Sequence, residues 1–269
     1  MPESPEVQAL VEFLDDRLVG SILSGVDVLE FRAVKTRTHT PDTLVGERVV
    51  GVHRYGKHLA IDFGTAQLVV SLGRHGWMRW RAADASALAE EPPALAELSF
   101  DNGDIIEVTD AGSWVSIGLS VVDAAREVDA IAKLGPDPLD TSFDRAAFDR
   151  AFGMRRKQIK AILQEQESCA GIGNAYSDEI LHVAELSPTT HAAALGSDAR
   201  TRLFDATVAT LRDAADEQRG VPIHQLKAAK VASMRVHGRA GEECPRCGSA
   251  VEDLAFGGTT AQWCPACQL

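Results

Sequence analysis

Four cysteines near the C-terminus, Cys244, Cys247, Cys264 and Cys267, form two C-x2-C knuckles with sixteen residues between them. Two residues between thiols let both sulfurs of a knuckle face one ion, and two knuckles complete a tetrahedral site suited to Zn2+. A segment this short cannot bury a core of its own, so the ion must supply the folding energy. The alternative, a pair of disulfides, is disfavoured in a chain expected to be cytosolic. One structural zinc per chain is therefore expected, with all four positions used and none open for catalysis. The fifth cysteine, Cys169, lies in a small-residue turn with no local base and reads as a buried small side chain.

Upstream of that module the chain changes character twice. Glu6 to Leu18 carries Val7, Leu10, Val11, Leu14 and Leu18 at helical spacing. Short β-rich runs follow at 48–53, 59–63, 68–72, 78–80, 98–100, 105–108 and 115–121, separated by turn signals such as Asn102-Gly103, which predicts a sandwich or barrel. Between them, the Ala-rich stretch 82–95 reads as a mobile surface loop. Leu134 to Leu139 (LGPDPL) reads as a linker. After it, helices are predicted over 144–152, 157–165, 174–184, 198–217 and 223–233. The expected organisation is α+β and multidomain: an N-terminal β-sandwich with a helix over 1–133, a helical module over 134–237 and a zinc finger over 238–269.

All 269 residues give a net charge of −12, from 27 basic and 39 acidic side chains. Taken as an average, that opposes binding to phosphates, which require Lys and Arg. Binding depends on where charges sit, however, and three basic clusters stand out: 74–81 (RHGWMRWR), 155–160 (RRKQIK) and 227–239 (KAAKVASMRVHGR). Each alone reads as a solvated face. Apolar side chains make up 45% of the sequence, yet no apolar run is long enough to span a bilayer and no secretory leader is visible, so a cytoplasmic location and no membrane partner are expected.

The chain opens Met1-Pro2-Glu3-Ser4-Pro5-Glu6. Removal of Met1, which a small second residue permits, would expose a secondary amine at Pro2. An α-amino group titrates near about 7.7 to 8.0, leaving a useful neutral fraction. Attack by such an amine on C1′ of a sugar yields an iminium, an electron sink that permits β-elimination, and Glu3 beside it can move protons. Read without context, the same residues are an ordinary helix start. Lys57 follows Gly56 directly before a strand. Gly171-Ile172-Gly173-Asn174 precedes a helix, where free N–H groups could meet a phosphate.

Six blocks in this order resemble the formamidopyrimidine-DNA glycosylase and endonuclease VIII family. They are Pro2-Glu3-x-Pro5-Glu6, Gly56-Lys57, the 134–139 linker, Ala170-Gly-Ile-Gly-Asn174-x-Tyr176-x-x-Glu179-Ile180-Leu181, Gly238-Arg-x-Gly241-x-x-Cys244-x-x-Cys247-Gly248, and Trp263-Cys264-Pro-x-Cys267-Gln268. The resemblance implies a β-sandwich, a helix–two-turn–helix domain and a zinc finger, with DNA in the cleft between. It implies a monomeric bacterial DNA repair enzyme, nucleoid-associated when bound, acting on double-stranded DNA with a damaged base or abasic site flipped from the duplex. In these terms Pro2 resembles the Schiff-base nucleophile and Glu3 the acid/base, while Lys57 contacts phosphate and assists protonation. Gly171, Gly173 and Asn174 hold the DNA backbone with the 155–160 cluster (Arg155, Arg156, Lys157 and Lys160), and Lys230 is expected to face phosphate too.

The sequence also departs from the family pattern. The family carries an arginine five residues before the third cysteine, where this chain has Thr259. That arginine grips phosphates and is tied to δ-elimination, for which Arg239 or Arg246 could substitute. The residues that fill the space of the flipped base align with Arg74, Ser113 and Trp114, and Ser71 replaces a histidine. Trp114 could serve as a wedge, although a core position is the more common one for a tryptophan. Two functions follow: a glycosylase and abasic-site lyase with shifted lesion preference, or a damaged-DNA-binding paralogue with weak or no base excision.

Overall fold

The computed structural model describes residues 1–83 and 92–269. Most of the expected 82–95 loop thus lies outside the described residues, while its last two residues belong to a strand. The chain divides into two compact units that do not follow chain order. Met1–Pro2, Glu6–Ala132 and Arg219–Leu226 form one, and Glu3–Pro5, Lys133–Gln218 and Lys227–Leu269 form the other.

The first unit holds nearly all of helix α1 (Ser4–Leu18) and eight strands: β1 (Leu23–Val28), β2 (Gly51–Tyr55), β3 (His58–Asp62), β4 (Gln67–Ser71), β5 (Gly76–Arg81), β6 (Ala94–Phe100), β7 (Ile105–Asp110) and β8 (Gly118–Val122). A short helix α2 (Asp129–Ala132) closes it. The strands form two antiparallel four-stranded sheets, ordered β1-β6-β7-β5 and β2-β3-β4-β8. Alternate residues of each sheet face one core, where Leu59, Ile61, Leu68 and Val70 join Met78, Leu98, Ile106 and Val108. Val7, Leu10, Leu14 and Leu18 of α1, fully buried, complete it, as the 3–4 spacing requires. Polar contacts set the helix on the sheet: Gln8 accepts from Arg54 Nε at 2.8 Å, and Asp15 from the Val52 N–H at 2.8 Å.

The second unit contains helices α3 (Arg145–Phe152), α4 (Ile159–Gln164), α5 (Asn174–Ala184), α6 (Ser197–Gln218) and most of α7 (Leu226–Ser233), then the hairpin β9 (Glu252–Phe256) and β10 (Thr259–Trp263). Asp144 caps α3 by accepting the Ala147 N–H at 2.7 Å. Phe148, Phe152, Ile162, Leu163, Ile180, Leu203 and Leu211 are fully buried in its core. Lys160 Nζ and Asp178 Oδ1, both buried in this unit, pair at 2.6 Å. Among the described residues, no helix is long and apolar enough to cross a membrane.

Several sequence expectations needed correction. Strand β1 was not expected, because Gly25 and Asp27 mask its pattern. The run expected over 115–121 becomes a strand only at Gly118, since 111–117 is a loop gathered around Asp110. The helix expected from residue 223 begins at Leu226.

Candidate catalytic and DNA-binding site and the zinc centre

The site is built on the N-terminus of α5, where a helix leaves its first N–H groups without intrahelical partners. The Glu3 carboxylate takes them. It accepts the N–H of Ala175 at 3.1 Å and of Tyr176 at 3.4 Å, and that of Gly173 at closer range. Glu3 is 2% exposed. A buried carboxylate with three N–H donors at the positive end of a helix is stabilised as the anion. The approach needs glycine at 173, because a Cβ there would stand 2.6 Å from Glu3 Cδ. Gly171 (φ 86°) turns the chain back so that its carbonyl accepts the Ser4 N–H at 3.0 Å. Gln166 braces the turn through the Gly171 N–H and the Ile172 carbonyl.

Asn174 is half-buried, and its side chain is engaged at both ends. Its amide donates to the Thr260 carbonyl at 2.9 Å, and its oxygen accepts from Gln164 at 3.0 Å. It thereby links the start of α5 to the β9–β10 hairpin. Of the cluster 155–160, Arg155 and Lys157 both pair with Glu165, at 2.8 and 2.7 Å, and hold its carboxyl down to about 2. Arg156 is exposed, whereas Lys160 is wholly buried. Lys230, expected to face phosphate, is instead directed inward. Its ammonium lies 3.5 Å from Glu3 Oε1 and 4.6 Å from the Tyr176 ring centroid, because a cation buried to this degree needs a counter-charge.

In the first unit, Pro2 is half-buried at the start of the chain. Lys57, half-buried, sits in the tight β2–β3 turn that Gly56 (φ 56°) allows. Beyond β4, Arg74 and Trp114 lie on two loops joined by Ser116. Its hydroxyl accepts the Arg74 N–H at 3.1 Å and donates to Asp110 at 2.8 Å. Asp110 also accepts the N–H groups of Gly112, Ser116 and Ile117. Burial opposes its charge, but these donors prevail and hold the carboxyl below its ordinary value. Trp114 at its tip is 60% exposed, so the core reading of this side chain does not hold. The remaining cations of the 74–81 cluster belong to the sheet: Arg79 pairs with Glu107, and Arg81 with Glu107 and Glu97.

The four cysteine sulfurs all lie within 4.8 Å of one another. Cys244 and Cys267 are 3.9 Å apart, and Cys247 and Cys264 3.5 Å. A tetrahedral ion with Zn–S bonds of about 2.3 Å places its sulfurs about 3.8 Å apart, so the donor set fits zinc. His182 of α5, buried, brings Nε2 to 3.2 Å from Cys244 Sγ. A thiolate only accepts, so that nitrogen carries the proton.

Family models match along the chain: the formamidopyrimidine-DNA glycosylase N-terminal domain over residues 1–113, the H2TH domain of the same enzymes over 134–224, and the zinc finger found in FPG and IleRS over 241–269. The chain belongs to the formamidopyrimidine-DNA glycosylase family. The formamidopyrimidine-DNA glycosylase of Mycobacterium avium is 32% identical over all of this chain and 98% of its own length. Among solved structures, the Lactococcus lactis enzyme non-covalently bound to abasic-site DNA superposes with a TM-score of 0.85 at 26% identity, covering 99% of each chain. The same enzyme with Fapy-dG DNA gives 0.86, 26% identity and 98% of each chain. One structural zinc on the four cysteines accords with both the matched finger and the sulfur geometry.

Within this family the chain has its own features. Thr259, exposed, bonds the Phe256 carbonyl across the Gly257-Gly258 turn at 2.9 Å. Arg239 pairs with Glu242 at 3.0 Å and Arg246 with Glu185, so both suggested substitutes are engaged with carboxylates. Ser71 faces His58 across β3 and β4, its oxygen 2.7 Å from Nδ1. Burial first, and then the charge of Lys57, lower His58 to about 4, so its ring is neutral. His58, His182 and Lys230 were not singled out from sequence as parts of these contacts. Only pairing across a sheet or between helices reveals them. Cys169 is fully buried, and burial, then the charges of Asp137 and Glu165, push its thiol up to about 12, which makes it inert.

Proposed function

We propose that Pro2 is the nucleophile of this chain, a DNA glycosylase with abasic-site lyase activity in base excision repair that acts on damaged duplex DNA. The observation that carries the reading is the seating of Glu3, the residue after Pro2, as a buried anion in the α5 cradle. With Met1 removed, the Pro2 nitrogen attacks C1′ of the damaged nucleotide, gives up its proton, and the base leaves with its glycosidic bond electrons and a proton. The C1′–O4′ bond then opens, O4′ taking a proton, and the resulting iminium between Pro2 and C1′ acidifies C2′–H. Loss of that proton breaks the C3′–O bond and releases the strand, and water then returns the free amine. Glu3, held as an anion, accepts and returns protons beside the amine. Lys57, Arg74, Arg156, Gly171, Gly173 and Asn174 make up the DNA-contacting set, joined by Arg155 and Lys157 where they release Glu165. Trp114 is the wedge that fills the space of the flipped base.

Thr259 favours a shifted outcome in which β-elimination predominates, because the hairpin lacks the cation associated with the second elimination. On this reading residues 1–133 carry the chemistry, while 134–237 and 238–269 hold DNA. The enzyme works in the bacterial cytoplasm, at the nucleoid when bound, as its bacterial relatives suggest. Incubation with a single-abasic-site duplex tests the reading. Strand nicking at enzyme excess supports it. Tight binding with no nicking makes the chain a damaged-DNA-binding paralogue instead.

A further inference from the structure

Lys230 stands outside every motif that carries the family resemblance, yet its ammonium reaches Glu3. It belongs to α7, where Lys227 and Val231 on the neighbouring positions are exposed and Lys230 alone of the three turns inward. Its side chain is 11% exposed and that of Glu3 2%. The ring of Tyr176 lies beneath the ammonium, and its hydroxyl in turn accepts from Gln218 at 3.0 Å. An ion pair this enclosed is held in one geometry by what surrounds it, unlike an exposed pair.

We propose that Lys230 is a positioning residue for the reaction: it holds the Glu3 carboxylate in one orientation, and as the anion, at the N-terminus of α5. This rests on the reading of Glu3 as the group that moves protons beside Pro2. Glu3 Oε2 meets the N–H groups of Gly173 and Tyr176, whereas Oε1 meets that of Ala175 and the Lys230 ammonium. Both oxygens are therefore fixed, from α5 on one side and α7 on the other. A second charge that acts on Glu3 is Lys160 of α4. That ammonium is bound at close range to Asp178 and the Ser177 hydroxyl, and Asp178 also meets His237 Nδ1 at 2.7 Å. Lys160 thus answers first to Asp178, and Lys230 supplies the charge at the carboxylate itself.

An opposite charge within about 4–6 Å lowers a carboxyl by about one to three pH units. Removing Lys230 should therefore move the acidic limb of the pH–rate profile upward by about one unit, while an arginine should restore it. Single-turnover base excision is followed from about pH 4.5 to 8 in the wild type, Lys230→Met, Lys230→Gln, Lys230→Arg and Glu3→Gln, with zinc content and melting temperature as folding controls. The expected result is a Glu3-dependent acidic limb shifted upward in both Met and Gln variants, returned by Arg and absent in Glu3→Gln, where only the Pro2 amine still titrates and the rate is low throughout. An unmoved limb in a folded Met or Gln variant, with Glu3→Gln still inactive, overturns the role of Lys230 and leaves that of Glu3. A Glu3→Gln enzyme with wild-type rates overturns the reading of Glu3 instead.

Discussion

A Cβ on Gly173 would stand 2.6 Å from Cδ of Glu3, so the bare backbone of one residue is what admits the carboxylate of the other. Gly173→Ala should push Glu3 from its three N–H donors while leaving the rest of α5 in place. A charge-assisted hydrogen bond lost from a buried carboxylate is worth about 1.5–3 kcal/mol. Base excision should therefore fall by about ten- to hundredfold, with zinc content unchanged. Single-turnover kinetics on a one-lesion duplex measure this, and full activity in the alanine variant would show that the cradle is not used.

The zinc centre is braced from α5, because His182 donates to Cys244. Outer hydrogen bonds of this kind are worth about 10–100-fold in metal affinity. His182→Phe keeps the ring volume and removes the donor. Zinc should pass to a competing chelator faster from that variant than from the wild type, and Cys244→Ser should be isolated without zinc. Equal release from wild type and His182→Phe would make the contact incidental.

The cysteine spacing and the glycine turn before α5 were legible because each is a local pattern with a local cause. Charge was not. Arg79 and Arg81 read as a basic patch, but their partners Glu97 and Glu107 lie on other strands of the same sheet. Lys160 and Lys230 read as phosphate ligands, but both turn inward to carboxylates of other elements. Composition along a helix shows that a lysine is present, whereas its direction depends on what the fold sets opposite. Trp114 was equally ambiguous, since core and exposed tryptophans look alike in sequence. The loop that Asp110 gathers decides in favour of exposure.

His58 gives the fold a pH dependence of known sign. Its folded value, about 4, lies below the ordinary value of 6.5. The unfolded chain therefore takes up the proton first as pH falls. Its contribution is fully present above about pH 6.5 and is lost as pH falls toward about 4. Melting temperatures at about pH 7.5 and about pH 5 should differ more for wild type than for His58→Gln. An equal difference would mean that the ring titrates normally in the fold.

Thr259 offers no cation to the departing phosphate, and Arg239 and Arg246 are held by Glu242 and Glu185. The wild type should leave mainly the β-elimination end on a 5′-labelled abasic duplex. Thr259→Arg should raise the 3′-phosphate product by about tenfold, the effect of one additional charge-assisted hydrogen bond to the departing group. A wild type that already yields mostly 3′-phosphate, unchanged in the arginine variant, would show that this position does not govern the second elimination.

In the proposed reaction the Pro2 nitrogen becomes bonded to the sugar. Borohydride reduction of the enzyme on an abasic duplex, followed by proteolysis and mass spectrometry of the cross-linked peptide, tests it most directly. The adduct is expected on the N-terminal peptide at Pro2, and none when Met1 is retained by a blocked start. An adduct mapped to a lysine, equally abundant with and without a free Pro2 amine, would contradict it.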